Sequence, residues 1–158
     1  MFVGDGNNVA SSLAIATALL GMPLTICSPE GYELRPAFLA ELKRRVPGAD
    51  VRHVRDPHEA VAGADVIYTD VWASMGQEAE AEQRQRAFAP YQVNAELLAH
   101  AEPQCRFMHD LPARRGMEVT DEVLDGPQCI AFQQAENRMH LAKGLLVWLM
   151  KGSGGRQA

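Results

Sequence analysis

Five short apolar runs recur along the chain, at Phe2-Val3, Leu24 to Cys27, Val51 to Val54, Val66 to Thr69 and Arg106 to Met108. Each pair is separated by a turn signal and at least one stretch with helical spacing of its apolar residues. Strands that alternate with helices pair in parallel, because each crossover carries the chain back to the same end of the sheet. This alternation predicts an α/β fold: a doubly wound, Rossmann-like parallel sheet of about five strands, with helices on both faces and right-handed crossovers.

The helical stretches follow from local chemistry. Val9, Leu13, Ala16 and Leu20 are spaced for one face of a first helix, with Asn7 or Asn8 able to cap its free amides and Gly21 to end it. Pro36 opens a second helix whose expected buried stripe is Phe38, Leu39, Leu42 and Val46, stopped by Pro47-Gly48. Asp56-Pro57-His58-Glu59 opens a short third one, and Ala79 to Ala87 and Asn94 to Ala101 are helical patches before the fifth strand. Thr120 to Leu124 reads as a helical turn and Gln128-Cys129-Ile130 as an extended apolar segment. The last helix, from about Gln134 to Met150, carries Met139, Ala142, Leu146 and Leu149 on one stripe and Leu141, Leu145 and Trp148 on another. A helix apolar over so much of its circumference expects neighbours on more than one side, so self-association through it, or a neighbour outside this chain, is an open expectation. Residues 152–158 read as a flexible tail after a single domain spanning 1–151.

At 158 residues and 47% apolar content, the chain is long enough for one hydrophobic core. A formal net charge of -5 argues against a nucleic-acid surface, and Lys43-Arg44-Arg45 fits the solvated face of a helix. Cys27, Cys105 and Cys129 show no paired or metal-ligand spacing with His53, His58, His100, His109 or His140, which predicts buried thiols in a reducing cytoplasm and no metal. No apolar run reaches the ~18 residues of a membrane helix. Met1-Phe2-Val3 looks like the end of a strand with little before it, which suggests a fragment, an engineered boundary or a domain encoded alone.

Function is expected where strands end, since open α/β sheets bind ligands at their carboxyl edge. Gly4-Asp5-Gly6-Asn7-Asn8, Asp70 and His109-Asp110 all follow strands. Each also has an ordinary structural reading: a glycine turn, a helix cap, a locally satisfied His-Asp pair. Gly4-x-Gly6 is a weak dinucleotide signal, because Val9 stands at the third glycine position and Glu30 lies in a loop. Asp5, Asp70 and Asp110 would make the edge acidic and suited to a cation such as a diamino acid. On the last helix, Glu136 complements the helix dipole and Arg138 reads as a surface residue.

The wording of these segments adds to that reading. Asp70-Val71-Trp72-Ala73-Ser74-Met75-Gly76-Gln77-Glu78 closely resembles the ornithine-binding loop of ornithine carbamoyltransferases, and Gly4-Asp5-Gly6-Asn7-Asn8, His109-Asp110-Leu111-Pro112 and Glu136-Asn137-Arg138 resemble further motifs of that family in its order. The resemblance implies ornithine or a similar amino acid held by Asn8, Asp70, Ser74, Met75 and Leu111, with His109, Asp110 and Arg138 as catalytic residues, Arg138 facing carbamoyl phosphate. It implies no cofactor and a place in arginine biosynthesis. Asp110 departs from the cysteine the family carries there, which puts substrate choice in question and favours, as an alternative, a related transferase for another amine. The Ser-Thr-Arg-Thr and His-Pro-x-Gln motifs, which in the family supply most of the carbamoyl phosphate site, are not found. The resemblance therefore implies the ornithine-binding half, inactive by itself and using carbamoyl phosphate only with a partner domain. A non-catalytic binding or interaction module is the further alternative.

Overall fold

The computed structural model describes residues 1–73 and 78–152. Strands β1 (Phe2–Val3), β2 (Leu24–Cys27), β3 (Val51–Val54), β4 (Val66–Thr69) and β5 (Arg106–His109) form one sheet in the order β3-β2-β1-β4-β5, every pair parallel. Helices α1 (Asn8–Leu19), α2 (Pro36–Arg45) and α3 (Pro57–Val61) alternate with the first strands. Helices α4 (Ala81–Phe88) and α5 (Ala95–Ala99) lie between β4 and β5, and α6 (Asp121–Leu124) and α7 (Ala131–Gly152) follow. The doubly wound architecture expected from the sequence is the one observed.

The pleat sorts the strand residues between two cores. Phe2, Leu24 and Ile26 point to the face covered by α1 and α2, where they meet Ala10, Ala14, Ala18, Leu34 and Leu42. Val3, Cys27, Ile67 and Phe107 point to the other face, against α3, α5 and α6 through Val61, Leu97 and Val123 and against Trp72 and Phe88. Gln128 to Ile130 runs beside β5: Phe107 N–H donates to Gln128 O and Ile130 N–H to Phe107 O, both at 2.9 Å.

Two expectations change. The buried face of α1 is Ala10, Ala14, Thr17 and Ala18, not the stripe containing Leu20, which is 74% exposed beside an exposed Leu19 and Ile15. Small side chains let the helix axis approach the sheet closely, so the alanine face turns inward and the larger residues stay outside. The last helix starts at Ala131, and every residue from Ala135 to Lys151 is exposed. No helix among the described residues is long and apolar enough to cross a membrane.

Candidate functional site

The strand order places a switch point between β1 and β4. The chain leaves β1 towards β2 on one side, while β4 and β5 lie on the other, so the two carboxyl ends diverge and open a crevice. The β1–α1 turn lines one wall. Gly6 N–H donates to Tyr32 O at 2.7 Å, and a side chain at residue 6 would collide with the backbone of Glu33 and Leu34, at 2.4 to 2.6 Å from its Cβ. Glycine is therefore required by close approach rather than by a phosphate. Asn7 is the N-cap: its Oδ1 accepts from Val9 and Ala10 amides, and its Nδ2 donates to Asp70 Oδ2 at 2.9 Å across the crevice. Asn8, the expected ligand contact, is the next residue, exposed on the first turn of α1.

Asp70 directly follows β4 and is 7% exposed, its Oδ1 accepting the Val71 amide at 2.7 Å. Asp110 directly follows β5, and its carboxyl lies within hydrogen-bond reach of that of Asp70. Burial first, and then the Asp70 charge, push the Asp110 pKa up to about 6. Among the described residues, Asp110 Oδ1 has no hydrogen-bond partner. Tyr68 joins this group from β4, near Gln134 of α7: burial, with Asp110 adding, pushes its phenol up to about 12, so it stays a neutral hydroxyl.

His109 is buried, with both ring nitrogens engaged. Nδ1 accepts from the Leu111 amide at 2.8 Å and Nε2 faces Glu118 Oε1 at 3.2 Å. Leu111 takes φ 55°, a left-handed conformation rare outside glycine and asparagine, and Leu111-Pro112 is a cis peptide. Asp110, Leu111 and Pro112 form one side of an open groove whose other side is Ala135, Arg138, Met139 and Ala142 of α7. Arg138 is exposed there, on the same groove as Asp110. Ser74 and Met75 lie outside the described residues.

The third carboxylate expected at this edge does not contribute free charge. Asp5 Oδ2 accepts from Arg84 Nη1 at 2.7 Å, and Arg84, 6% exposed, also donates to Trp72 O and Glu80 and lies over the Tyr32 ring at 5.0 Å. The acidity of the crevice is that of Asp70 and Asp110. Arg115 has a local duty, pairing with Asp121 and Asp125 on the surface. Asn7, Tyr68, Arg84, Glu118 and Gln134 were not singled out from the sequence as site residues. Only Glu118 carries a usable signal, a lone acid between the apolar Met117 and Val119.

An open parallel sheet with two neighbouring carboxylates at its switch point defines a domain of the doubly wound class, whose ligands bind in that crevice. The chain belongs to the aspartate/ornithine carbamoyltransferase family: the model of that family's Asp/Orn binding domain matches residues 1–149. Ornithine carbamoyltransferase of Thermococcus kodakarensis is 53% identical over 154 residues, which is 96% of this chain and 49% of that protein. That of Symbiobacterium thermophilum is 54% identical over 151 residues, 94% of this chain and 49% of that protein. Among solved structures, the Pyrococcus furiosus enzyme superposes with a TM-score of 0.84 at 52% identity, covering 92% of this chain and 47% of its own. The anabolic enzyme of Campylobacter jejuni gives 0.85 at 32% identity, over 96% and 50%. The chain thus spans about half the length of these relatives.

Proposed function

We propose that this chain is the ornithine-binding half of an ornithine carbamoyltransferase, residues 1–151 forming the domain, with the carbamoyl phosphate half of the site supplied by another domain. The observation that carries this reading is the meeting of Asp70 and Asp110 at the β1/β4 switch point, across a groove from Arg138, in a chain of this family. Relatives named as anabolic support a role in arginine biosynthesis, and the unpaired spacing of the cysteines supports a cytoplasmic one.

In this reading Asn8, Asp70, Ser74, Met75 and Leu111 hold the amino acid, and His109, Asp110 and Arg138 serve the reaction. The δ-amine of ornithine attacks the carbonyl carbon of carbamoyl phosphate, a C–N bond forms, the C–O bond to phosphate breaks, and the amine gives up a proton. Ionised Asp110 attracts the ammonium and is the nearest base for that proton. Arg138 suits the phosphate, since a guanidinium pairs with it in a bidentate way. Positioning both substrates supplies much of such a rate, so a chain holding one of them is inactive by itself.

Calorimetric titration of the pure chain with ornithine, acetylornithine, putrescine and aspartate tests the reading. Ornithine is expected to bind at least about tenfold more tightly than the acetylated amine or aspartate, a difference of about 1.4 kcal/mol. Putrescine binding more tightly than ornithine would favour the related transferase suggested by Asp110. Binding of none, with self-association through α7, would favour an interaction module. Citrulline formed by the pure chain from ornithine and carbamoyl phosphate would overturn the inactivity.

A further inference from the structure

Glu118 and His109 are both fully buried, and their contact lies behind the loop that shapes the groove. Glu118 Oε1 receives the Arg114 amide as well as facing His109 Nε2, while Oε2 has no partner among the described residues. On the other side of the ring, Nδ1 accepts the Leu111 N–H at 2.8 Å. A neutral imidazole that accepts at Nδ1 must carry its hydrogen at Nε2, pointing at Glu118.

The opposite tautomer has a partner waiting. Asp110 Oδ1 lies 3.4 Å from Nδ1, too far and without a shared hydrogen in the observed arrangement, yet placed to accept if the proton moved there. That shift would release the Leu111 amide, tie Asp110 to the histidine instead of a ligand, and leave the Nε2 lone pair facing a carboxylate. Two carboxylates thus compete for one imidazole proton, and Glu118, buried and anchored by the Arg114 amide, holds it. We infer that Glu118 is a positioning residue: by fixing His109 as the Nε2–H tautomer, it holds Leu111 at φ 55° and keeps Asp110 free to receive a cationic amine. A left-handed leucine is unfavourable and persists only where its surroundings hold it. The amine part of this inference rests on the ornithine reading above, whereas the tautomer does not.

Long-range proton–nitrogen NMR of the 15N-labelled chain reads the ring directly, with the His109 signals assigned by their loss in His109→Asn. Wild type is expected to show a pyridine-type Nδ1 and a pyrrole-type Nε2, and the reverse overturns the proposal. Glu118→Met is expected to move the hydrogen to Nδ1 and weaken ornithine binding by about tenfold or more. Glu118→Gln, which keeps a carbonyl acceptor, is expected to retain the ring pattern and bind ornithine within about threefold of wild type. A Glu118→Met chain that folds, as judged by its amide spectrum, and keeps both pattern and affinity overturns the proposal. If Glu118→Met does not fold, the wild-type ring pattern and its retention in Glu118→Gln decide, and a flipped ring in either overturns it. Should wild type bind no ornithine, the functional reading fails while the ring pattern still reports on Glu118.

Discussion

Asp110 shows how one side chain takes its character from its surroundings. Its pKa of about 6 lies well above the ordinary aspartate range, so the folded state holds that proton more tightly than the unfolded chain does. The sign follows: the stabilisation is fully present below about pH 4 and is lost as pH rises through about 6. Asp110→Asn removes that loss, and urea denaturation is expected to find it more stable than wild type by about 1–2 kcal/mol at pH 8, with the two converging near pH 4; the figure allows for partial exposure of the side chain. Equal stabilities at pH 8 would mean the carboxyl is not penalised. The same residue was legible in the sequence as a strand-end carboxylate. Its coupling to Asp70 was visible only as a shared sheet edge, and its contact with His109 could not be separated from an ordinary local pair, because hydrogen-bond direction is a property of three-dimensional geometry.

At the scale of elements, Arg84 marks the limit of reading a chain in order. It stands in the helical patch from Ala79 to Ala87, among charged residues, and Arg86, two positions on, is exposed. Arg84 instead turns inward to Asp5, 79 residues away, joining α4 to the β1–α1 turn. Sequence periodicity carries no information about a partner at that distance. Removing one member of a buried pair leaves the other charge uncompensated, so Arg84→Met is expected to cost about 3 kcal/mol in urea denaturation, and Asp5→Asn in the same background to restore part of it. Additive losses would mean that the two do not act together. The strands were more legible than the helix faces: the apolar runs of β1 to β5 fall where the sequence put them, while α1 buries alanines that hydropathy spacing alone does not distinguish from its leucines. Side-chain size, not apolar character, decides that face.

For the whole molecule, the sheet is covered on both faces, and its switch point lies beside a helix that continues past it. The first turns of α7 supply Gln134 and Arg138 to the crevice, and the rest extends beyond, carrying exposed Leu141, Leu145 and Trp148. A helix derives most of its stability in water from packing rather than from propensity, so the distal turns of α7 depend on what they are pressed against. Amide hydrogen exchange should therefore run faster in residues 141–150 than in β1 and β4 for the pure chain, and slow by at least about tenfold there when a carbamoyl phosphate domain is added. Unchanged exchange in 141–150 on that addition would show that the distal turns need no neighbour. Since the near end of the same helix holds Gln134 against the backbone of His109, fraying at the far end works as a reporter: the order of α7 registers, at the site, whether anything packs on its distal turns.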